Sequence, residues 1–155
     1  MSGTVKARLA ELGIDLPEAK PPLANYVPAR RTGNTIYISG QVPAVGGADQ
    51  FTGKLGREFS VEEGQAAARI CAINILAQLS AALDGDLDRV TAVVRLGGFI
   101  NADPEFTDHP KVLNGASDLM VEVFGDTGRH ARAAVGVYSL PRNVPVEVDA
   151  IFEIA

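Results

Sequence analysis

The residues best suited to chemistry lie near the C-terminus of this sequence, in the stretch "RHARAAVGVYSLPRNVPVEVDA" from Arg129 to Ala150. Arg132 opens a predicted strand, and alternation places it on one face with Ala134 and Gly136. These small residues leave space over the guanidinium, which binds a small carboxylate through two parallel hydrogen bonds. Taken alone, the residues favour a different role for Arg132, an ion pair with an Asp or Glu across the sheet. The anion-binding role and the ion-pair role are both left open.

Glu147 is the second candidate, since it alternates with the valines of "VPVEVDA" and shares a predicted face with Asp149. A carboxylate held there could orient or deprotonate a water molecule. The residues alone favour an ordinary solvated or inter-subunit carboxylate. In a tight hairpin of the last two strands, Glu147 would lie nearer Tyr138 than Arg132, so the sequence does not show Arg132 and Glu147 meeting.

An earlier segment, "ISGQVP", ends a predicted strand with Ser39 and Gly40. A glycine there permits close approach of the backbone to a ligand, although a simple strand-to-loop transition is the commoner reason for it. The sequence shows no histidine partner for Ser39, so a serine-hydrolase triad has no support. Tyr26 follows a Pro-rich segment and suits either a core aromatic or a lid on a pocket.

The composition limits the classes of function that the chain can have. Its 155 residues suit one domain, and its net charge of −5 disfavours a nucleic-acid-binding surface. The one cysteine excludes an internal disulfide and fits a reducing cytosol. The N-terminus has no long apolar run, so neither a signal peptide nor a membrane span is expected. No metal-ligand spacing occurs, and His109 and His130 are interpreted as solvated loop or helix-end residues.

The pattern of apolar residues predicts seven main elements after a short helix over residues 4–12. Two strands surround a turn at Thr32–Asn34, and the Gly-rich segment that follows them is predicted to be a loop. A capping box, in which Ser60 and Glu63 satisfy each other's backbone, starts a long helix. The strand "RVTAVVRLGGFI" precedes a second long helix that ends at Gly125, and two more strands finish the chain. The expected apolar stripe of the first long helix is Ala66, Ile70, Ile73, Leu76, Ala77 and Leu83, with Cys71 in a packing role.

This order predicts an α+β fold, a mixed or antiparallel sheet with both long helices on one face. The even-numbered residues of the last strand, from Val146 to Ile154, fill one face with apolar side chains. Ile151 falls on the opposite face beside Glu147, Asp149 and Glu153. A partly apolar bare sheet face is usually buried against another subunit, so a homo-oligomer is expected.

Several stretches together resemble the RidA/YjgF/YER057c/UK114 family of enamine/imine deaminases, from about Pro21 to Ile154. They are "YVPA" after a Pro-rich start, "GNTIYISGQVP", "AAARICAINILAQLSAAL" and "ARAAVGVYSLPRNVPVEVDAI". The last of these resembles the family's arginine strand, Leu-Pro turn and Glu-containing strand. Each motif alone is weak, and their combination is specific.

The resemblance implies a chorismate-mutase-like, or YjgF-like, α+β fold and a homotrimer with a barrel-like core and ligand clefts between subunits. It implies one domain over residues 1–155, in which residues 1–20 form an N-terminal extension. It further implies that no cofactor or metal is needed. The cysteine usage, the net charge and the lack of a long apolar run lead us to expect a cytoplasmic protein with no nucleic-acid or membrane partner.

The activity that the resemblance implies is the hydrolysis of 2-aminoacrylate-like enamines and imines to keto acids and ammonia, as by a 2-iminobutanoate/2-iminopropanoate deaminase. In such proteins the arginine matching Arg132 grips the substrate carboxylate, and the acid matching Glu147 positions a water. The other positions implied to bind substrate are Tyr26, Ser39, Gly40 and Asn114.

This sequence also departs from the family pattern. Ala134 stands where many members have a cysteine, which excludes a thiol-dependent mechanism. The N-terminal extension and the segments "GGADQFTGKLG" and "TDHPKVLNGASD" indicate a long-chain subgroup with its own substrate preference. Two other functions stay open, a non-catalytic small-carboxylate-binding or regulatory trimer and an endoribonuclease or translation inhibitor. The net charge and the lack of a suitably spaced histidine pair disfavour the second of these.

Overall fold

The computed structural model describes residues 4–22 and 24–155. Its helices are α1 (Thr4–Glu11), α2 (Val61–Ala82) and α3 (His109–Phe124). Its strands are β1 (Ala29–Thr32), β2 (Thr35–Gln41), β3 (Ala44–Val45), β4 (Ala48–Asp49), β5 (Val90–Asn101), β6 (Ala131–Val137) and β7 (Val146–Ile154). Short 3₁₀ turns occupy Leu87–Arg89, Gly125–Gly128 and Pro141–Asn143.

The main sheet has five strands in the order β1-β2-β7-β5-β6. The pairs β1–β2, β2–β7 and β5–β7 are antiparallel, whereas β5 and β6 run parallel. A mixed sheet with its long helices packed on it is the predicted α+β fold, which is therefore confirmed. The segment predicted to be a Gly-rich loop contains the small hairpin β3–β4.

The predicted pair of C-terminal strands exists, but the two strands do not form a hairpin with each other. β5 lies between β6 and β7 and pairs with both. Parallel strands need a long crossover, which α3 provides between β5 and β6. The tight hairpin considered from the sequence is therefore wrong, because a non-local strand occupies the place between its two arms.

Asn101, at the end of β5, holds the chain where it crosses from β6 to β7. This residue is fully buried, and its side-chain amide donates to the Val144 carbonyl at 3.1 Å and to Asn143 Oδ1 at 3.0 Å. Its backbone N–H donates to the Pro145 carbonyl at 2.9 Å. Lys54 Nζ completes the arrangement by donating to Asn101 Oδ1 at 2.6 Å. A buried amide with these partners fixes where β7 begins.

Helix α2 starts at the predicted capping box, since Ser60 and Glu63 each bond the other's backbone N–H. The predicted stripe is only partly right: Ala66 is exposed, and Ile70 and Ile73 are half-buried. The helix is apolar on most sides, so periodicity alone does not select its inner face. The side chains that are buried include Ala67, Ala68, Cys71, Ala72, Ile75, Leu76 and Leu79.

Cys71 has the predicted packing role. The side chain is fully buried in the core, and its Sγ contacts the Val146 carbonyl at 3.6 Å. Burial raises the pKa of the thiol well above its ordinary value, which keeps the sulfur protonated and unreactive.

The two faces of the sheet differ as the alternation in β7 predicts. All the even-numbered residues from Val146 to Ile154 are buried on the helix-covered face. On the other face Tyr37 and Val135 remain 48% and 47% exposed, and Ile151 is half-buried beside Tyr37. None of the helices in the described ranges is both long enough and apolar enough to cross a bilayer.

Helices α2 and α3 cross with their backbones in close contact at Gly115. A Cβ on this residue would overlap the Gln65 carbonyl oxygen, which is backbone and has little freedom to move. α3 in turn presses on β5 and β6, so the spacing of this crossing also determines how α3 meets the strand that carries Arg132.

A Gly115→Ala substitution is therefore expected to destabilise the fold by about 2 kcal/mol, since overpacking outweighs the gain in helix propensity. Asp118→Ala, at an exposed position of the same helix, is the matched control and should change stability by less than about 0.5 kcal/mol. Urea unfolding followed by circular dichroism measures both. Equal stability of the two variants would contradict the close crossing.

Candidate functional site

Arg132 lies on the face of the sheet that α3 covers. In the parallel ladder it pairs with Leu96, which is fully buried beneath the helices. Ala134 and Gly136 pair with the next two alternate residues of β5 and so share this face, as alternation predicts. The arginine therefore projects between the edge strand β6 and helix α3.

Two groups of α3 hold the guanidinium of Arg132. Nη1 donates to Ser117 Oγ at 3.0 Å, and Nη2 donates to the Pro110 carbonyl at 3.2 Å. Within the described residues Arg132 has no carboxylate partner, so the ion-pair role is not the one found. A guanidinium has five N–H donors, so three are left for a ligand on an exposed side chain.

His130 is not the solvated residue predicted from the sequence. The ring is half-buried, with Nδ1 at 2.7 Å from the Gly128 carbonyl and Nε2 at 2.8 Å from Ser117 Oγ. Its burial lowers the pKa, and the charge of Arg132 lowers it further, while the Gly128 hydrogen bond opposes both effects. The neutral ring is therefore favoured at pH 7.

Asn114 lies on the α3 stripe that faces β6. Its place between Pro110 and Ser117 follows from spacings of four and three residues, which put all three on one side of a helix. His109 begins the helix, as a helix-end residue should, and its ring lies over Gly136, where a Cβ would be 2.6 Å from Nε2. Arg132 and Asn114 thus belong to one group of side chains, the α3–β6 group.

Glu147 belongs to a different part of the molecule. It pairs with Phe99 and alternates with the buried residues Val146 and Val148, so its side chain lies on the face that the helices leave bare. The carboxylate rests against Gly40, where a Cβ would lie only 2.7 Å from Glu147 Oε1. A side chain at Gly40 would displace the carboxylate, so the glycine is needed here for close approach.

The environment of Glu147 disfavours its charge. Half-burial raises the pKa of this carboxyl, the neighbouring Asp149 raises it further, and the Arg142 guanidinium opposes both. Asp149 itself lies 3.6 Å from Arg95 Nη1. A carboxyl with a raised pKa exchanges protons nearer to neutral pH, which suits general acid–base work.

Ser39 and Tyr26 lie at the same corner of the sheet as Gly40. Ser39 Oγ donates to the Val27 carbonyl at 2.9 Å, and its N–H donates to Pro28. Tyr26, which precedes Val27, is 53% exposed, so it is a surface aromatic and not a core residue. Ser39, Gly40 and Glu147, with Tyr26 in the adjoining segment, are called the β2–β7 group below.

The two groups do not meet within one chain. β5 separates β6 from β7, and the sheet itself lies between Arg132 and Glu147, which project from opposite faces. A ligand held by Arg132 therefore cannot touch Glu147 of the same chain.

Ser117 was not predicted from the sequence to contact Arg132. Fifteen residues separate Ser117 from the arginine, and thirteen separate it from His130. No local spacing reports such contacts, because they arise only when α3 folds back along β6.

A cavity of about 740 Å³ at the C-terminal end of β6 was also not predicted from the sequence. Lys54 and Arg57 line it: Lys54 donates to the neutral Tyr138 carbonyl, and Arg57 is paired with the Asp103 carboxylate. His109 is shared between this cavity and the α3–β6 group.

Comparison with known proteins identifies relatives over almost the whole chain. The family described as "YjgF/chorismate_mutase-like, putative endoribonuclease" matches residues 6–153. Protein TCP17 of Trypanosoma cruzi is 53% identical over 99% of this chain and 96% of its own length. A 2-iminobutanoate/2-iminopropanoate deaminase of Dermatophagoides farinae is 30% identical over 89% of this chain and 92% of its own.

The crystal structure of Atu1372 from Agrobacterium tumefaciens, a protein described as of unknown function, superposes with a TM-score of 0.92. It is 51% identical in sequence, and the match covers 98% of this chain and 93% of that one. The family and the fold agree with the resemblance found in the sequence. The chain therefore belongs to the YjgF/RidA family, whose description includes the chorismate-mutase-like fold.

Proposed function

We propose that this protein hydrolyses small enamine or imine compounds that carry a carboxylate, releasing a keto acid and ammonia. The observation that carries this proposal is the guanidinium of Arg132, which α3 holds at two donors and which keeps three donors exposed. The 30% identity to a 2-iminobutanoate/2-iminopropanoate deaminase supports the same reaction class.

The chemistry requires few groups. The enamine tautomerises to an imine, whose carbon becomes electrophilic when the nitrogen is protonated. Water adds to that carbon, a proton moves from oxygen to nitrogen, and the carbon–nitrogen bond breaks to leave a carbonyl and ammonia. Arg132 would fix the carboxylate, and Glu147 would take a proton from the water as it attacks.

The site requires more than one subunit under this proposal, because Arg132 and Glu147 project from opposite faces of one sheet. We propose a homotrimer in which the α3–β6 group of one subunit meets the β2–β7 group of its neighbour. The exposed Tyr37 and Val135 on the bare face support an assembly that covers this face. Tyr26, Ser39 and Gly40 would then line the cleft opposite Asn114.

A second candidate function is a binding or regulatory trimer without turnover. Ala134 favours it, since no thiol stands beside Arg132. Such a protein would still bind a small carboxylate, so turnover and binding must be measured separately. Endoribonuclease activity, which the family's description includes, would need RNA binding by a chain of net charge −5.

In the direct test, a pyridoxal-phosphate enzyme generates 2-aminoacrylate and keto-acid formation is followed with and without the protein. Wild type should accelerate it, and Arg132→Ala should lower kcat/KM about a hundredfold through loss of charged hydrogen bonds to the carboxylate. Arg132→Lys should recover little, since a lysine lacks the bidentate fork.

The matched control is Arg31→Ala, which removes an exposed arginine from the opposite edge strand β1, on the face that does not carry Tyr37. This variant should keep wild-type activity. Unaccelerated keto-acid formation with intact binding of propionate would favour the regulatory trimer instead. Full activity of Arg132→Ala would overturn both functions.

The inter-subunit site predicts complementation between two inactive variants. Arg132→Ala and Glu147→Gln, unfolded together in equal amounts and refolded as mixed trimers, should recover about a quarter of wild-type activity, since one cleft in four receives both intact residues. Each variant refolded alone is the control. If both residues acted from the same subunit, the mixture would stay inactive.

The environment of Glu147 predicts that Asp149 affects the pH dependence of activity. Activity should fall at acid pH as Glu147 is protonated, with the midpoint above the ordinary pKa of a glutamate because burial and Asp149 raise it. Asp149→Asn removes a like charge and should lower that midpoint. Glu153→Gln, an exposed carboxylate on the same face, should leave the kcat/KM–pH profile unchanged, and an unmoved midpoint in Asp149→Asn would count against Glu147 as the base.

A further inference from the structure

We propose that Ser117 and His130 are positioning residues that hold the Arg132 guanidinium ready for a carboxylate. The proposal rests on the carboxylate-binding role of Arg132 given above. The structure places the three side chains in one unbroken chain of hydrogen bonds, with distances of 2.8 Å from Ser117 Oγ to His130 Nε2 and 3.0 Å from Arg132 Nη1 to Ser117 Oγ.

The contact between His130 and the Gly128 carbonyl determines which groups donate along this series of hydrogen bonds. The Gly128 carbonyl only accepts, so the His130 nitrogen 2.7 Å away must carry the proton and donate. In the neutral ring Nε2 is then an acceptor, and the Ser117 hydroxyl donates to it. The lone pairs of Ser117 Oγ therefore point away from the ring and accept the Arg132 N–H.

The anchor of the chain is rigid. Gly128 is buried at the end of the 3₁₀ turn after α3, and a Cβ there would overlap the Met120 carbonyl oxygen, so its backbone is packed directly against the helix. Ser117 lies in the middle of α3, two turns beyond Pro110, whose carbonyl takes a second Arg132 N–H. Two groups of α3, Ser117 Oγ and the Pro110 carbonyl, thus hold the guanidinium directly. The Gly128 carbonyl of the turn acts on it indirectly, through His130 and Ser117.

Such an arrangement matters because a free arginine side chain loses much rotamer freedom when it grips a ligand. If this rotamer entropy is already lost on folding, its cost does not weaken the binding of the ligand. The two anchored donors leave Nε–H and one N–H on each terminal nitrogen for the carboxylate.

A nucleophilic serine is the other reading of a Ser–His contact at 2.8 Å. Ser117 lies mid-helix, where the backbone N–H groups are engaged in helical hydrogen bonds and offer no oxyanion site. Its oxygen already accepts from Arg132. These contacts favour positioning over attack.

The test measures binding and needs no turnover. Propionate, a stable small carboxylate, is titrated into ¹⁵N-labelled protein while the assigned Nε–Hε signal of Arg132 is followed by NMR. Ser117→Ala should weaken propionate binding about tenfold, the value of one lost charge-assisted hydrogen bond. Ser117→Thr keeps the hydroxyl and should stay within about twofold of wild type, and Thr91→Ala, which removes a distant exposed hydroxyl, should match wild type.

The wild-type protein gives a second readout that does not depend on any variant folding. Two-bond ¹H–¹⁵N correlations of His130 at neutral pH should show the tautomer protonated at Nδ1. The opposite tautomer would overturn the proposed direction, and unchanged propionate affinity in Ser117→Ala would overturn the positioning role. Covalent labelling of Ser117 by a fluorophosphonate would also overturn it, in favour of a nucleophile.

The proposed function fails in a distinguishable way. If wild type does not bind propionate at all, Arg132 is not a carboxylate site and both proposals fall. If wild type binds and Ser117→Ala binds equally well, the function survives and only the positioning role is lost.

Discussion

The pairing of β6 with β5 determines which side chains of the candidate site can meet within one chain. Because α3 carries the chain back along the sheet, β6 runs parallel to β5 and ends up as an edge strand. That register turns Arg132 toward α3, where polar groups of the helix can hold it. The antiparallel register of β7 against the same strand turns Glu147 to the other face. One central strand therefore separates the two residues that the chemistry would need together.

The two groups also differ in electrostatics. Around Arg132 the protein supplies neutral acceptors, a hydroxyl and a carbonyl, which orient a cation without neutralising it. A carboxylate in the same position would have satisfied the guanidinium and closed it to ligands. Around Glu147 the protein supplies half-burial and a second carboxylate, which push its pKa upward. Within the described residues of one chain, Arg132 has no carboxylate partner and the carboxylate of Glu147 has an environment that disfavours its charge.

Local patterns predicted much of this fold. Alternation in β7 identified the buried face correctly, and the pair Ser60 and Glu63 marked the start of α2. The inner face of α2 was predicted less well, since its small apolar residues surround the helix and its packing against α3, β2 and β7 selects among them. The predicted hairpin was wrong for a different reason. β5 lies between β6 and β7 because of the crossover helix and the long-range contacts of Asn101, and local sequence patterns do not predict such contacts.

The same distinction explains the site. Arg132 and Glu147 were identifiable because their residue types interrupt a strand pattern and match a family motif. Ser117 and His130 carry no such signal, because a serine in a helix and a histidine before a strand are ordinary until the two elements pack. Their contact nevertheless fixes the hydroxyl that one N–H of the Arg132 guanidinium donates to. Side chains that act through another residue are thus the part of a site that a single sequence conceals most completely, and three-dimensional packing is what reveals them.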